Sequence, residues 1–156
     1  MTISYRKATL ADVKELARLR VQFLKEVQSN ETHQTDEEGL RQTLEDYFHL
    51  HLGSGEIVVW LAEADGKIVC TSGLCFFRIF PGFSLPDGRV AYILNVYTLP
   101  HWRKKGLGKE IFSRIVEEAK NLGYKRIQLH ASEEGRPIYE KYGFKATSDE
   151  MELRLE

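Results

Sequence analysis

The sequence predicts a single α/β domain built on a mixed sheet, and three observations carry that expectation. The chain has 156 residues, enough to bury a substantial core as one domain, 1–156. Apolar residues recur at helical spacing in several segments and gather into Val-, Ile- and aromatic-rich runs between them. The order that results is β, α, α, three strands, α, β, α and a closing hairpin, which places helices around a mixed sheet.

Each element has its own signal. Residues 3–6 begin a short strand. Thr9 then N-caps a helix with Asp12 three residues on, the spacing of a capping box. Val13, Leu16, Ala17, Leu24 and Val27 share one face of that helix, widened by Leu19 and Phe23. The polar stretch 28–34 ends it. Thr35 with Glu38 signals a second capping box, and Leu40, Leu44, Tyr47, Phe48 and His51 line the second helix until Gly53-Ser54-Gly55 stops it. Ile57–Ala64 reads as a strand, Asp65-Gly66 as a hairpin turn, and 67–80 as the returning strand, with Gly73 marking a bulge. A Pro/Gly loop at 81–88 leads to a strand at 89–98. An amphipathic helix spans 106–122, with Gly123 as its C-cap, followed by a strand at 126–131. A short helix at Arg136–Tyr142 ends at Gly143, and 144–146 with 151–155 read as the hairpin.

Composition excludes several classes. Twenty-two Lys and Arg stand against 23 Asp and Glu, a net charge of −1, which argues against a nucleic-acid binder. No apolar run approaches the roughly 20 residues of a membrane span, and the polar start shows no signal peptide. Cys70 and Cys75 lie five residues apart in one expected strand, about 16 Å between Cα atoms and on opposite faces. A disulfide needs about 7 Å or less, so both are expected to be free, small buried hydrophobes in a reduced, cytoplasmic protein. His49 and His51 diverge on a helix, and His33 and His101 have no ligand at metal spacing, so no metal site is expected. Phe76 and Phe77 read first as core. With Arg78, Phe80 and the 81–88 loop they are also candidates for an acceptor-pocket wall.

The informative stretch runs from Val96-Tyr97-Thr98 through Leu99-Pro100-His101-Trp102 to Arg103-Lys104-Lys105-Gly106-Leu107-Gly108-Lys109. Here a strand and a proline turn lead to a basic triplet, and Gly-x-Gly opens a helix. A helix start exposes unpaired N–H groups and the positive end of the dipole, both suited to phosphate. The glycines let a ligand approach the backbone. The pattern lacks the Gly-Lys-Ser/Thr ending of a P-loop. A dinucleotide fingerprint would need a third Gly where Ile111 stands and a later acid where Gln128 stands. What remains is an anion site for a di- or triphosphorylated cofactor.

These residues resemble the GNAT (Gcn5-related N-acetyltransferase) superfamily. Its Arg/Gln-x-x-Gly-x-Gly/Ala signature stands as Arg103-Lys104-Lys105-Gly106-Leu107-Gly108. Its late-helix motif stands as Ile138-Tyr139-Glu140-Lys141-Tyr142-Gly143-Phe144, and Tyr5-Arg6-Lys7-Ala8-Thr9 with Asp12 is similar to the family's usual start. The resemblance covers nearly the whole chain. It implies a mostly antiparallel mixed sheet with helices on both faces, and acetyl-CoA in the gap between two splayed parallel strands, 89–98 and 126–131. It implies direct acetyl transfer to a primary amine, with no metal.

Residue roles follow from the resemblance. Val96, Tyr97 and Thr98 would pair with the pantetheine arm, and Arg103, Lys104, Lys105, Gly106, Leu107, Gly108 and Lys109 would hold the pyrophosphate. Ser132 or Glu133 would make a further cofactor contact, although the spacing to Tyr139 is one residue short of some members. Tyr139 is the expected general acid for the departing thiolate, while Tyr142 is structural. Gln128 stands near the position where some members carry a Glu base. His130, two residues on, has a pKa suited to proton transfer. Asn95, inside an apolar strand, Gln128 and the acidic Glu26 and Glu31 are candidates for the acceptor site. The acceptor is expected to be a small-molecule amine, with a protein α-amine or lysine second and a non-catalytic acyl-CoA sensor third. Relatives are often dimers, so a homodimer stays open.

Overall fold

A computed structural model describes residues 2–27, 36–94, 96–133, 135–147 and 149–155. The chain enters through β1 (Ile3–Lys7) and a turn of 3-10 helix, Leu10–Asp12, that leads into α1 (Val13–Val27). The expected capping box is formed. The Ala11 N–H donates to the Thr9 hydroxyl at 3.3 Å and the Thr9 N–H donates to Asp12 at 2.7 Å. Arg6 adds a bidentate pair to the same carboxylate, both bonds 2.8 Å. The guanidinium holds the buried Asp12 carboxyl below its usual range.

In α2 (Glu37–Ser54), Asp36 is the N-cap, accepting from the Gly39 N–H at 3.0 Å, and Gly55 closes the helix in the left-handed region. The expected cap Thr35 and the polar stretch 28–34 lie outside the described residues. Strand β2 (Ile57–Ala64) turns at Asp65 and Gly66, both at positive φ, into β3 (Lys67–Arg78). Strand β4 (Arg89–Ile93), the two-residue β5 (Tyr97–Thr98), α3 (Leu107–Asn121), β6 (Arg126–Leu129) and α4 (Arg136–Tyr142) complete the order.

The sheet runs β1-β2-β3-β4-β6 with β5 paired to β3. All pairs are antiparallel except β4 and β6, which are parallel from Val90↔Arg126 to Ile93↔Leu129. Beyond that point the partners part. The expected single strand 89–98 is broken because β3 skips two residues between Leu74↔Ile93 and Thr71↔Tyr97 while its partner skips three. The partner of β3 thus carries one more residue than β3 between these two pairs, the count of a bulge, opposite Gly73. Gly73 itself stays in register with Val59, so the irregularity expected at this glycine lies on the neighbouring strand.

Helix α3 covers one face of the sheet, packing Ile111, Ile115 and Val116 on Leu74, Ala91 and Ile93. The other face carries α1 and α2, with Leu16, Ala17 and Phe48 on Ile57 and Val59, and Leu19 and Phe23 on Leu61 and Tyr97. Cys70 joins the α3 face, Cys75 the opposite one, and both are free. Burial pushes the Cys70 thiol up to about 11, which leaves it unreactive. Phe76 stacks on Tyr124 at 4.8 Å as a core residue. Phe77 is 42% exposed and Phe80 almost wholly so, which departs from a core assignment for Phe77.

The closing hairpin does not form among the described residues. Its first arm is consumed in ending α4: Gly143 is left-handed (φ 111°), and the Phe144 N–H donates back to the Tyr139 carbonyl at 3.0 Å. The Phe144 ring then packs 5.8 Å from Phe112. Without that arm, Met151, Leu153 and Leu155 stay exposed. No helix among the described residues is long and apolar enough to cross a membrane.

Candidate active site

The start of α3 lies against β5, just past the point where the β4–β6 ladder ends. The register slip interrupts the β3 ladder between Leu94, whose N–H donates to the Gly73 carbonyl at 2.8 Å, and Tyr97. Residues 130–132 follow β6, past the end of its ladder with β4. A polar arm entering here would meet main chain not committed to the ladder.

Helix α3 begins where the basic triplet ends. Gly106 is its N-cap, at φ +83° with nothing within 4 Å of a would-be Cβ, so the left-handed backbone is what demands glycine there. The first N–H bonded inside the helix is that of Glu110, to the Gly106 carbonyl at 3.1 Å, which leaves the N–H groups of Leu107, Gly108 and Lys109 directed outward. Gly108 has a different reason. A Cβ would stand 3.3 Å from Val96 and 3.6 Å from the Thr98 hydroxyl, so its smallness lets the helix start lie against β5. Lys104 also has positive φ (63°), a local strain that turns the loop toward the helix end. Among the described residues Lys104 and Lys109 have no acidic partner, and Lys105 lies over the Trp102 ring at 5.2 Å. Among the described residues these lysines are therefore left without a neutralising acid. That fits a pyrophosphate.

Arg103 is placed differently from its neighbours. Its Nε donates to the Thr98 carbonyl at 2.8 Å and its Nη2 to Glu26 at 2.9 Å. The other Glu26 oxygen accepts from the Tyr97 hydroxyl at 2.6 Å, and Gln22 donates to that hydroxyl at 2.8 Å. These bonds, Tyr97 first and Arg103 second, hold the Glu26 carboxyl below its ordinary range. Glu26, an acceptor-site candidate from sequence, thus has both oxygens engaged in tying α1 to β5 and to the basic loop.

Tyr139 packs on the α3 face, 5.1 Å from Phe112, and burial raises its phenol above the ordinary value. Its hydroxyl lies close over Gly135, where a Cβ would come within 3.1 Å of it. Tyr142 packs edge-on against Phe112 at 5.1 Å and donates to Ser113 at 3.3 Å, a structural placement. Gln128 sits in register with Tyr92 on the opposite face from Ala91 and Ile93, and the exposed His130 ring lies 5.9 Å from Tyr92. Tyr139 thus packs on the α3 face of the sheet, whereas His130 lies against Tyr92 on the other. Ser132 lies in the turn before α4, its hydroxyl accepting from the Gly135 N–H at 3.1 Å, and Glu133 is exposed beside it. Asn95 and Glu31 lie outside the described residues.

On the α1/α2 face, a cleft is walled by Leu16, Leu19, Arg20, Phe23, Leu94 and Tyr97. Its volume is about 60 Å³. Sequence reasoning passed over Arg20. The signal was present, a charge inside the apolar stripe between Leu16 and Phe23. A larger hollow of about 310 Å³ between Lys14 and His49 shares no wall with this cleft or the helix start. Among the described residues no cluster of metal-binding side chains is present.

Comparison with known proteins agrees with this geometry. The family model described as Acetyltransferase (GNAT) family matches residues 20–144. A solved structure of a predicted acetyltransferase with acetyl-CoA from Clostridium acetobutylicum is 33% identical and covers 98% of this chain and 96% of its own, with a TM-score of 0.87. A glucosamine 6-phosphate N-acetyltransferase of Trypanosoma brucei brucei is 33% identical over 97 residues, 62% of this chain and 64% of the relative. A thialysine N-epsilon-acetyltransferase of Mus musculus is 27% identical over 103 residues, 66% and 57% respectively. The matches thus span somewhat under two thirds of those two relatives. With its split parallel pair, its glycine-opened helix and a family match over most of its length, the chain belongs to the GNAT acetyltransferase family.

Proposed function

We propose that the protein is an acetyl-CoA-dependent N-acetyltransferase acting on the primary amine of a small molecule. One observation carries the reading: a basic helix start at 106–109 stands beside a register slip in the main chain, just past the end of the parallel β4–β6 ladder. The relatives named for glucosamine 6-phosphate and thialysine support a small amine over a protein.

Acetyl-CoA, when bound, supplies an activated thioester. The chain contributes the rest. The N–H groups of Leu107, Gly108 and Lys109, with Lys104 and Lys105, hold the pyrophosphate. Val96, Tyr97 and Thr98 border the pantetheine arm, with Arg103 and Glu26 bracing that edge. Ser132 and Glu133 border it from the other strand. The amine must reach the reaction unprotonated, and the thiolate gains from a proton donor. The placement of Tyr139 and His130 on opposite faces of the sheet suits this division. Tyr139, its phenol kept protonated by burial, donates to the thiolate from the α3 face. His130, bordered by Gln128 and Tyr92, takes the amine's proton from the α1/α2 side.

The test is thiol release from acetyl-CoA across a panel of small amines, peptides and a no-acceptor control. The expected outcome is acceptor-dependent release with small amines. Tight acetyl-CoA binding with no acceptor-dependent release would replace this reading with an acyl-CoA sensor, and release with peptides alone would move the acceptor to protein.

A further inference from the structure

Arg20 is the one wall of the acceptor-side cleft whose chemistry its surroundings leave unanswered. It projects from the buried stripe of α1 into a space otherwise lined by Phe23, Thr71, Leu94 and Tyr97. Its guanidinium lies 5.4 Å from the Phe23 ring. Among the described residues it makes no hydrogen bond and no ion pair. The ionisable groups that bear on it are the Cys75 thiol and the Tyr47 hydroxyl. Neither is a carboxylate, and Tyr47 is pushed up to about 12 by burial and its contact with Cys75, so it stays neutral. Arg18, two residues earlier on the outer face, shows the contrast: it pairs with Glu15 and Gln22.

A half-buried guanidinium whose neighbours among the described residues offer a ring face but no anionic acceptor leaves its N–H donors unmatched, and burial disfavours its charged form. A fork of donors aimed into a cleft is matched by one ligand chemistry, a planar or tetrahedral oxyanion that accepts two N–H bonds at once. The same charge repels an alkylammonium. The amine is thereby turned toward the register slip between Leu94 and Tyr97, next to the pantetheine edge, while the anionic end turns toward Arg20.

We propose that Arg20 is the anion-binding residue of the acceptor site, and that the acceptor carries a carboxylate or phosphate in addition to its amine. This rests on the transferase reading of the cleft. The test uses matched acceptor pairs that differ in the anion: lysine against 1,5-diaminopentane for a carboxylate, and glucosamine 6-phosphate against glucosamine for a phosphate. The wild type should favour the anionic member of one pair by about tenfold or more in kcat/KM, the scale of one charge-assisted bidentate contact. Which pair responds identifies the anion. Arg20→Gln should bring that ratio to within about twofold while acetyl-CoA affinity holds, and Arg20→Lys, which keeps the charge, should retain part of it. Equal use of both members in both pairs by the wild type, or a preference that survives Arg20→Gln, overturns the proposal.

Calorimetric binding of lysine and glucosamine 6-phosphate to the CoA-saturated protein separates this from the reading it rests on. Arg20-dependent binding without turnover upholds the anion site and overturns the transferase. Turnover of neutral amines with no Arg20-dependent binding upholds the transferase and overturns the anion site. Neither binding nor turnover overturns both.

Discussion

Tyr139 shows how a residue's surroundings set its role. Its ring is clasped by Phe112 and Phe144 while the hydroxyl lies over Gly135, a position whose missing Cβ keeps room for it. Burial lifts the phenol above its usual value of about 10, so it stays protonated throughout the neutral range, the state a proton donor needs. Tyr139→Phe should therefore lower kcat by about 100-fold, at the low end of acid–base contributions, while the acetyl-CoA KM stays within a few-fold. The wild-type kcat should fall only above about pH 10, as the phenol ionises, and that alkaline limb should vanish in the variant. Steady-state kinetics across pH decide it: unchanged turnover would remove Tyr139 from the chemistry. Glu26 teaches the converse. Its acidity suggested an amine partner, and its neighbours Tyr97 and Arg103 instead make it a brace.

At the scale of elements, the start of α1 is the best-determined junction. Thr9 and Asp12 are legible as a helix start, and Arg6, which the tertiary structure adds, closes with them a network that joins β1 to α1. Asp12→Asn should cost about 2 kcal/mol, since it weakens a charge-assisted pair and one half of the capping box together. The folded Asp12 pKa lies below its unfolded value. Its contribution is therefore present above the unfolded pKa, near pH 4, and is lost as pH falls through the folded value. Urea titrations at pH 7 and pH 3 should show a gap between wild type and Asp12→Asn that narrows at the lower pH. A constant gap would mean that the carboxylate's charge adds nothing. Periodicity foretold the other helices to within a residue or two. It misjudged the closing hairpin, because alternation is a local property while a strand requires a partner. Phe144, the start of the expected arm, was instead taken into the cap of α4.

For the molecule as a whole, we propose that residues 1–156 form one cooperative domain. The two helical layers bury residues against the same strands from opposite sides, with Leu74 and Leu61 both fully buried, one on each face. Glu118 of α3 bonds to Trp60 of β2 at 3.0 Å and pairs with Lys7 of β1, which adds polar ties across the sheet. Urea unfolding followed by far-UV circular dichroism and by fluorescence of Trp60 and Trp102 should then give coincident single transitions. Separated midpoints would show that the layers unfold independently.

The sequence alone determined the mixed α/β order, the free cysteines and the basic helix start, because each is encoded within a few adjacent residues. Periodicity, strand reach and Gly-x-Gly spacing need no distant partner. The tertiary structure decided what depends on residues far apart in the chain. It broke one long strand into β4 and β5 opposite Gly73, and gave Gly106 and Gly108 separate reasons for being glycine. It turned Glu26 and Arg103 toward each other from positions 77 residues apart. It also left Arg20 facing a cleft with no acid beside it among the described residues, because whether a charge in an apolar stripe is paired depends on what the fold brings beside it.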